Sequence, residues 1–311
     1  MRRRLSAYPV SVFFVLAAAT PPAVAQNVTR LNAKDGSLQG TFPAGAKPQG
    51  SAYDGTFLWV ADWSSNSVTK LRASDGSRVG TFAVGNAPIR TVFDGASVWV
   101  TNVNSHTVTK LKASDGSLQG TFAVGEKPIG LAFDETNIWV ANDASNNVTK
   151  LKASDGNPAG TFPAGAQPIG VAFDGDDIWV TNRSSNNVMR LKSSDGSALG
   201  MFPVGIAPRG VLVEGGAVWV VNSGSNDVTK LRASDGSVLG TFPVGIAPNS
   251  LVAAGSSIWV ANGGSNNVTK LKASDGSVLG SFNVGAQPTG IAFDGTSIWV
   301  SSARGESESK R

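Results

Sequence analysis

From Asn27 onward, short runs of alternating apolar and polar residues follow one another, each bounded by glycine, proline or an Asp-Gly pair. Within one unit this pattern predicts four strands, which we call A to D. They are marked in order by Pro48, Trp59, Val68 and Phe82. No stretch shows the 3.6-residue period of an amphipathic helix, so the pattern predicts an all-β chain.

A Trp-Val pair recurs every 40 residues without insertion or deletion. The series runs through Trp59, Trp99, Trp139, Trp179, Trp219, Trp259 and Trp299. A phenylalanine series has the same spacing, at Phe42, Phe82, Phe122, Phe162, Phe202, Phe242 and Phe282. Repeats of this length are typical of a ring or stack of small sheets. Because every unit needs both aromatic side chains, we interpret them as packing and not as a ligand site.

The order of the hairpins predicts how the sheets close. The series begins with a C–D hairpin, from Val28 to Phe42, and finishes with an A–B hairpin, from Pro288 to Ser301. We therefore predict a seven-bladed β-propeller of four-stranded antiparallel blades, closed by pairing of the N-terminal strands with the C-terminal strands. An open solenoid is the alternative, but it would need distinct capping repeats.

The first residues have the layout of a secretory signal peptide. Arg2-Arg3-Arg4 precede an apolar run over about 10–19, and Ala23-Val24-Ala25 forms a small-x-small cleavage pattern. The run is shorter than a membrane span; an uncleaved anchor helix is the alternative. We predict a signal peptide over 1–25, the propeller over 26–302 and a disordered polar tail over 303–311. The protein is then secreted or periplasmic, by the general or the twin-arginine route.

Charge and cysteine content exclude several classes of partner. The chain has 26 basic and 22 acidic side chains, and removing Arg2, Arg3 and Arg4 leaves 23 against 22. Near neutrality does not indicate a nucleic-acid partner. The chain has no cysteine, which excludes disulfides and thiolate metal sites. We expect a monomer without a membrane span.

The two faces of the predicted ring differ in variability. The A–B and C–D turns share one face, the turn face, and repeat Asp-Gly in nearly every unit. Aspartates of this kind can bind calcium, but Asp-Gly is ordinary turn chemistry and no calcium-loop spacing surrounds it. The B–C and D–A loops share the opposite face, the loop face, where the units disagree. Function is expected on the loop face.

Six side chains of the loop face are candidates for ligand contact: Trp63, Arg90, Glu126, Asp143, Arg183 and Arg209. Arg90 and Arg209 lie just inside the axial strand, where guanidinium groups suit a carboxylate or a phosphate; the alternative is that both are solvated. Trp63 is the one tryptophan outside the 40-residue series. It is either an aromatic platform for a sugar, a peptide or a small ligand, or a loop side chain lying over its own blade.

Two other features have structural interpretations. His106 replaces the asparagine found at its position in other units, and no nucleophile or metal partner lies near it in sequence. We interpret it as a turn substitution. Basic residues recur in pairs along strand C, as in Lys70 and Arg72. We expect them to form a solvated outer edge that discourages sheet pairing.

One unit carries a resemblance to known repeats through Pro168-Ile169-Gly170-Val171-Ala172-Phe173-Asp174-Gly175 and Ile178-Trp179-Val180-Thr181-Asn182. It resembles the YVTN and NHL-type β-propeller repeats and those of the virginiamycin B lyase (streptogramin lyase) family. That resemblance implies a seven-bladed propeller. The lyase family opens a cyclic lactone antibiotic with paired histidines, a glutamate and magnesium. His106 is the single histidine here, so no catalytic residue carries over.

Two main hypotheses for function follow. The first is an exported, non-catalytic binding or interaction module without a cofactor, whose loop face takes a protein, a glycan or a small molecule. The second is a metal-dependent lyase or lactone hydrolase with calcium or magnesium at the channel mouth. Its ligands would come from Glu126, Asp143, Asp62 and Asp227, which lie in the loops of different blades. A bare structural spacer is a third possibility.

Overall fold

The computed structural model describes residues 26–304, which form 28 strands, β1 to β28, joined by tight turns. The predicted signal peptide and residues 305–311 of the predicted tail lie outside this range. Within it, no helix has the length and apolar character needed to cross a membrane.

The strands group into seven four-stranded antiparallel sheets, numbered here as blades. Blade 1 is β3 (Pro48–Tyr53), β4 (Phe57–Asp62), β5 (Ser67–Arg72) and β6 (Arg78–Ala83). Blade 2 is β7 (Pro88–Phe93), β8 (Ser97–Asn102), β9 (Thr107–Lys112) and β10 (Leu118–Ala123). Blade 3 is β11 (Pro128–Phe133), β12 (Asn137–Asn142), β13 (Asn147–Lys152) and β14 (Pro158–Pro163). Blade 4 is β15 (Pro168–Phe173), β16 (Asp177–Asn182), β17 (Asn187–Lys192) and β18 (Ala198–Pro203).

The remaining blades follow the same plan. Blade 5 is β19 (Pro208–Glu214), β20 (Ala217–Asn222), β21 (Asp227–Arg232) and β22 (Val238–Pro243). Blade 6 is β23 (Pro248–Ala254), β24 (Ser257–Asn262), β25 (Asn267–Lys272) and β26 (Val278–Asn283). Blade 7 joins β27 (Pro288–Phe293) and β28 (Ser297–Ser302) to β1 (Asn27–Asn32) and β2 (Leu38–Pro43).

Blade 7 closes the ring. Its strand order is β2-β1-β28-β27, and β1 pairs antiparallel with β28, with Val28 opposite Ser301. The inner strand β27 packs beside β3 of blade 1. Gln26 Oε1 accepts the backbone N–H of Lys47 in the loop that enters blade 1. The predicted seven-bladed propeller and its closure by N- and C-terminal strands are both confirmed.

The aromatic series forms the contact between neighbouring blades. All seven series tryptophans are completely buried, and each lies 5.3 to 5.9 Å from the phenylalanine ring of its own blade. The same phenylalanine covers the C–D turn of the next blade. A Cβ added to Gly76 in blade 1 would lie 2.1 Å from Phe42 Cδ1 of blade 7. The packing interpretation of the aromatics is therefore confirmed.

The aspartates of the A–B turns act as acceptors for these tryptophans. Asp134 Oδ2 accepts Trp139 Nε1 at 2.6 Å, while its Oδ1 accepts the backbone N–H groups of Thr136 and Asn137. Blades 1, 2, 4 and 7 repeat the tryptophan contact. Because both oxygens are engaged within the turn, the turn interpretation holds for these aspartates.

The prediction for the basic residues of strand C is wrong for the first member of each pair. Lys70 is only 2% exposed; its Nζ donates to the Ala113 carbonyl of blade 2 at 2.7 Å and lies 4.5 Å from the Trp59 ring centroid. Equivalent side chains reach the next blade from Arg30, Lys110, Lys150, Arg190, Lys230 and Lys270. Their long apolar stems can be buried while the charged end finds carbonyl acceptors. The second member, such as Arg72, is exposed as predicted.

Lys70→Met should lower the free energy of unfolding by about 2 kcal/mol, because it removes a charge-assisted hydrogen bond and a cation–π contact but keeps the apolar stem. Urea denaturation measures the change. Lys152→Met, at an exposed position of blade 3, is the matched control and should cost less than about 0.5 kcal/mol. Equal losses in the two variants would contradict a role of Lys70 between blades.

Candidate functional site

The seven inner strands surround an axial channel with a cavity of about 170 Å³. In five blades, glycine allows neighbouring inner strands to approach closely: Gly50, Gly130, Gly170, Gly210 and Gly290. A Cβ added to Gly130 would lie 2.1 Å from the carbonyl oxygen of Ile169 on the next strand. The wall of the channel is therefore backbone packed on backbone.

Arg90 occupies this glycine position in blade 2 and extends into the channel. Its stem lies over the inner strand of blade 1, since a Cβ on Gly50 would be 2.7 Å from Arg90 Cδ. Its Nη1 donates to the Thr289 carbonyl of blade 7 at 3.2 Å. One side chain thus crosses from blade 2 to blade 7.

Arg209 lines the same cavity from blade 5. Its position is one residue earlier in the repeat, where blades 2, 3 and 4 carry Ile89, Ile129 and Ile169. The Arg209 Nε is buried and has no hydrogen-bond acceptor among the described residues. The guanidinium is therefore incompletely satisfied by the fold.

Burial disfavours both positive charges. Burial and then repulsion from Arg209 lower the pKa of Arg90 to about 10. Burial likewise lowers the pKa of Arg209; Arg183 lowers it further and Asp143 opposes the change. Both side chains stay charged at neutral pH, and no acidic residue in the described part of the chain lines the cavity.

Asp143 and Arg183 lie on the loop face, close enough to Arg209 to influence its charge. Asp143 is half-buried at the end of β12, and its Oδ1 has no partner among residues 26–304. Burial raises the pKa of Asp143, while Arg183, Lys127 and Arg209 oppose the change in that order. The structure thus brings together three predicted candidates, Asp143, Arg183 and Arg209, and links Arg90 to them through Arg209.

The other two candidates, Glu126 and Trp63, lie in other loops than Asp143 and Arg183. Glu126 is exposed in the D–A loop that enters blade 3, where its backbone N–H donates to Ser145 Oγ at 2.8 Å. Trp63 is partly exposed at the end of β4 in blade 1, three blades away from Arg183 in blade 4. The repeat comparison gave no reason to select Lys127, because Lys47 is also a lysine at the equivalent position.

His106 is a turn residue in the structure. Its φ of 56° matches the values of 52° to 61° at the equivalent asparagines, Asn66, Asn146, Asn186, Asn226 and Asn266. His106 Nδ1 accepts the backbone N–H of Lys127 at 3.0 Å, as Asn66 Oδ1 accepts that of Ala87. The interpretation as a turn substitution is confirmed.

Two of the four carboxylates of the lyase hypothesis are engaged in hydrogen bonds of the fold. Asp62 is fully buried, with Oδ1 accepting the Gly45 N–H and Oδ2 accepting the Thr69 hydroxyl. Asp227 Oδ1 accepts Asn222 Nδ2 at 2.6 Å. Between residues 26 and 304, no three His, Asp or Glu side chains converge as metal ligands.

Comparison with known proteins gives a fold and no family. No protein-family model matches the chain, and no curated protein matches it. Among solved structures, a streptogramin B lyase matches with a TM-score of 0.72 and 17% identity, over 90% of this chain and 99% of that one. This chain is similar in fold to streptogramin B lyase. The expected resemblance to that propeller is thus confirmed for the fold.

Hydrazine synthase of Kuenenia stuttgartiensis matches equally well, with a TM-score of 0.72 and 18% identity, over 84% of this chain and 94% of that one. Altogether 1365 solved chains match. The two proteins have very different names, and both have low sequence identity to this chain. Their structural similarity therefore indicates a shared architecture and not a shared activity.

Proposed function

We propose that the protein is an exported, non-catalytic binding module that holds a ligand on its loop face, at the mouth of the axial channel. The proposal rests on one observation above all. In a ring of nearly identical blades, Asp143, Arg183 and Arg209 lie close enough to influence one another's charge. Irregular charged groups on a rigid scaffold are typical of binding sites.

Two side chains that could take part in catalysis are already engaged in the fold. His106 accepts a backbone N–H, and Asp62 accepts two hydrogen bonds in a buried position. An acid–base pair or a metal-assisted reaction requires free groups that converge on one point. Export is proposed from the pattern of residues 1–25.

A thermal-shift screen of the mature protein tests the proposal. The panel contains neutral sugars, amino acids, short peptides, carboxylates and phosphates at constant ionic strength. We expect at least one class to raise the melting temperature, and the response to fall sharply in an Asp143→Ser, Arg183→Ser double variant. Both changes copy Ser223, the equivalent residue of blade 5.

Lys192→Gln, exposed on β17 of blade 4, is the matched control and should leave the response unchanged. Equal responses in the wild type and the double variant would contradict a loop-face site, and so would a panel without any response. A separate arm adds magnesium or calcium. Stabilisation by the metal that is lost in Glu126→Ala or Asp143→Ala would favour the lyase hypothesis instead.

A further inference from the structure

We propose that Arg90 and Arg209 together hold an oxyanion, a carboxylate or a phosphate group, inside the axial channel. This inference rests on the proposed function: it assigns the chemical class of the ligand and places its charged group deeper than the loop-face mouth. The two arginines come from blades 2 and 5 and line one cavity of about 170 Å³.

The ring does not need either arginine for its architecture. Five blades carry glycine at the position of Arg90, and three carry isoleucine at the position of Arg209. Glycine permits the close approach of inner strands, and isoleucine adds apolar surface. Arg90 and Arg209 therefore replace residues that would line the channel without bringing charge into it.

Two like charges in a partly buried channel are costly unless a counter-charge is present. Among residues 26–304, no acidic residue lines the cavity and no ion pair includes Arg90 or Arg209. A guanidinium carries five N–H donors. The structure gives the Arg90 side chain the Thr289 carbonyl as an acceptor and leaves Arg209 Nε without one.

A bound oxyanion would supply both the missing negative charge and the missing acceptors. The planar donor fork of arginine matches carboxylate and phosphate oxygens, often with two parallel hydrogen bonds. The cavity of about 170 Å³ is large enough for such a group, since one water needs only about 10–15 Å³ by the same kind of measure. A neutral sugar would leave the charges unbalanced, and a cation would be repelled.

Two of the groups around Asp143 favour entry of an anion. Arg183 and Lys127 are both exposed there, and Glu126 beside Lys127 offsets part of their positive charge. Positive groups around the opening of a low-dielectric channel concentrate anions there. Asp143 opposes the lowering of the Arg209 pKa and so helps to keep that guanidinium charged.

The repeat itself supplies variants that should fold. Arg90→Gly restores the residue of five other blades, and Arg209→Ile restores that of three. We expect each variant, without added anion, to melt at or above the temperature of the wild type, because a buried charge is removed. Isothermal titration with inorganic phosphate and with succinate, against sodium chloride of equal ionic strength, should show binding to the wild type. Each variant should lose at least about tenfold in affinity.

The separate anions distinguish a phosphate ligand from a carboxylate ligand. Lys112→Gln, at the exposed end of β9, controls for a general loss of positive charge and should leave binding unchanged. Unchanged affinity in Arg90→Gly and Arg209→Ile would overturn the inference, and so would wild-type binding no stronger than that of chloride. If neutral sugars or peptides bind through Asp143 and Arg183 while phosphate and succinate do not bind, the proposed function stands and the oxyanion inference fails.

Discussion

A chain that begins at Ala44, and so lacks β1 and β2, should be largely unfolded at room temperature. The deletion removes two of the four strands of blade 7, which contribute the buried residues Val28 and Leu31 and the Phe42 ring against Trp299. A loss of this size should exceed about 5 kcal/mol, the lower end of the stability of a native domain. Circular dichroism and urea denaturation measure the loss.

A synthetic peptide of residues 26–43, added in trans, should restore the cooperative transition of the truncated chain. The pairing of β1 with β28 runs through backbone hydrogen bonds and needs no covalent continuity. The matched control is the same peptide with Val28→Asp, which places a charge at a fully buried position and should not restore folding. If the truncated chain melted like the full chain, blade 7 would not be what closes the ring.

Asp62→Asn should raise the free energy of unfolding at pH 7 by about 2 to 3 kcal/mol. Burial raises the pKa of Asp62 from its ordinary 3.8 to about 6, which corresponds to about 3 kcal/mol against the ionised form. Five other blades carry asparagine here: Asn102, Asn142, Asn182, Asn222 and Asn262. In blade 2 that amide donates to Thr109, the equivalent of the Thr69 partner of Asp62.

The pH dependence of this gain follows from linkage between protonation and folding. Between pH 3.8 and about 6 the folded protein keeps a proton on Asp62 that the unfolded chain has lost. The wild type therefore loses stability as the pH rises through this window, whereas the variant does not. The difference in the free energy of unfolding between the wild type and the variant should be smallest below pH 3.8 and should reach its full size above about pH 6. Asn142→Asp should show the opposite change, and a gain independent of pH would contradict the burial of an ionised Asp62.

The fold was predictable because a strict repeat reveals its own boundaries. The proline before β3, the Asp-Gly turns and the tryptophan of β4 recur with one spacing, so an error in one unit is corrected by the others. Trp59, which marks the predicted strand B, lies in β4 of the structure. Closure was equally readable, because a C–D hairpin and an A–B hairpin together make one blade.

The role of the strand C lysines was not predictable from polarity. Lys70 and Arg72 look alike in the sequence, yet Lys70 is buried under the next blade and Arg72 is exposed. Side chains alternate in direction along a strand, so residues two positions apart, such as Lys70 and Arg72, share a face. Whether Lys70 or Arg72 is covered depends on how far the neighbouring blade extends over the strand. The curvature of the ring determines that extent.

The candidate site was predictable in its members but not in its geometry. Arg90 and Arg209 stand out in the repeat because they replace glycine and isoleucine. Their meeting in one cavity depends on the ring, which brings blades 2 and 5 to the same axis. The hydrogen bond from Arg90 to Thr289 joins blade 2 to blade 7, which are far apart in the sequence, so no local pattern predicts it.

Three contacts that recur between neighbouring blades have the same direction. Phe42 reaches from blade 7 to Gly76 of blade 1, Lys70 reaches from blade 1 to Ala113 of blade 2, and Asn66 accepts the N–H of Ala87 at the entry to blade 2. Each 40-residue unit therefore contains both halves of every such contact. An in-frame gene duplication of one unit would bring its own joints with it, and the number of blades could grow without a compensating mutation. Arg90 reaches in the opposite direction, across blade 1 to blade 7, and so ties the charge of the channel to a ring of this circumference.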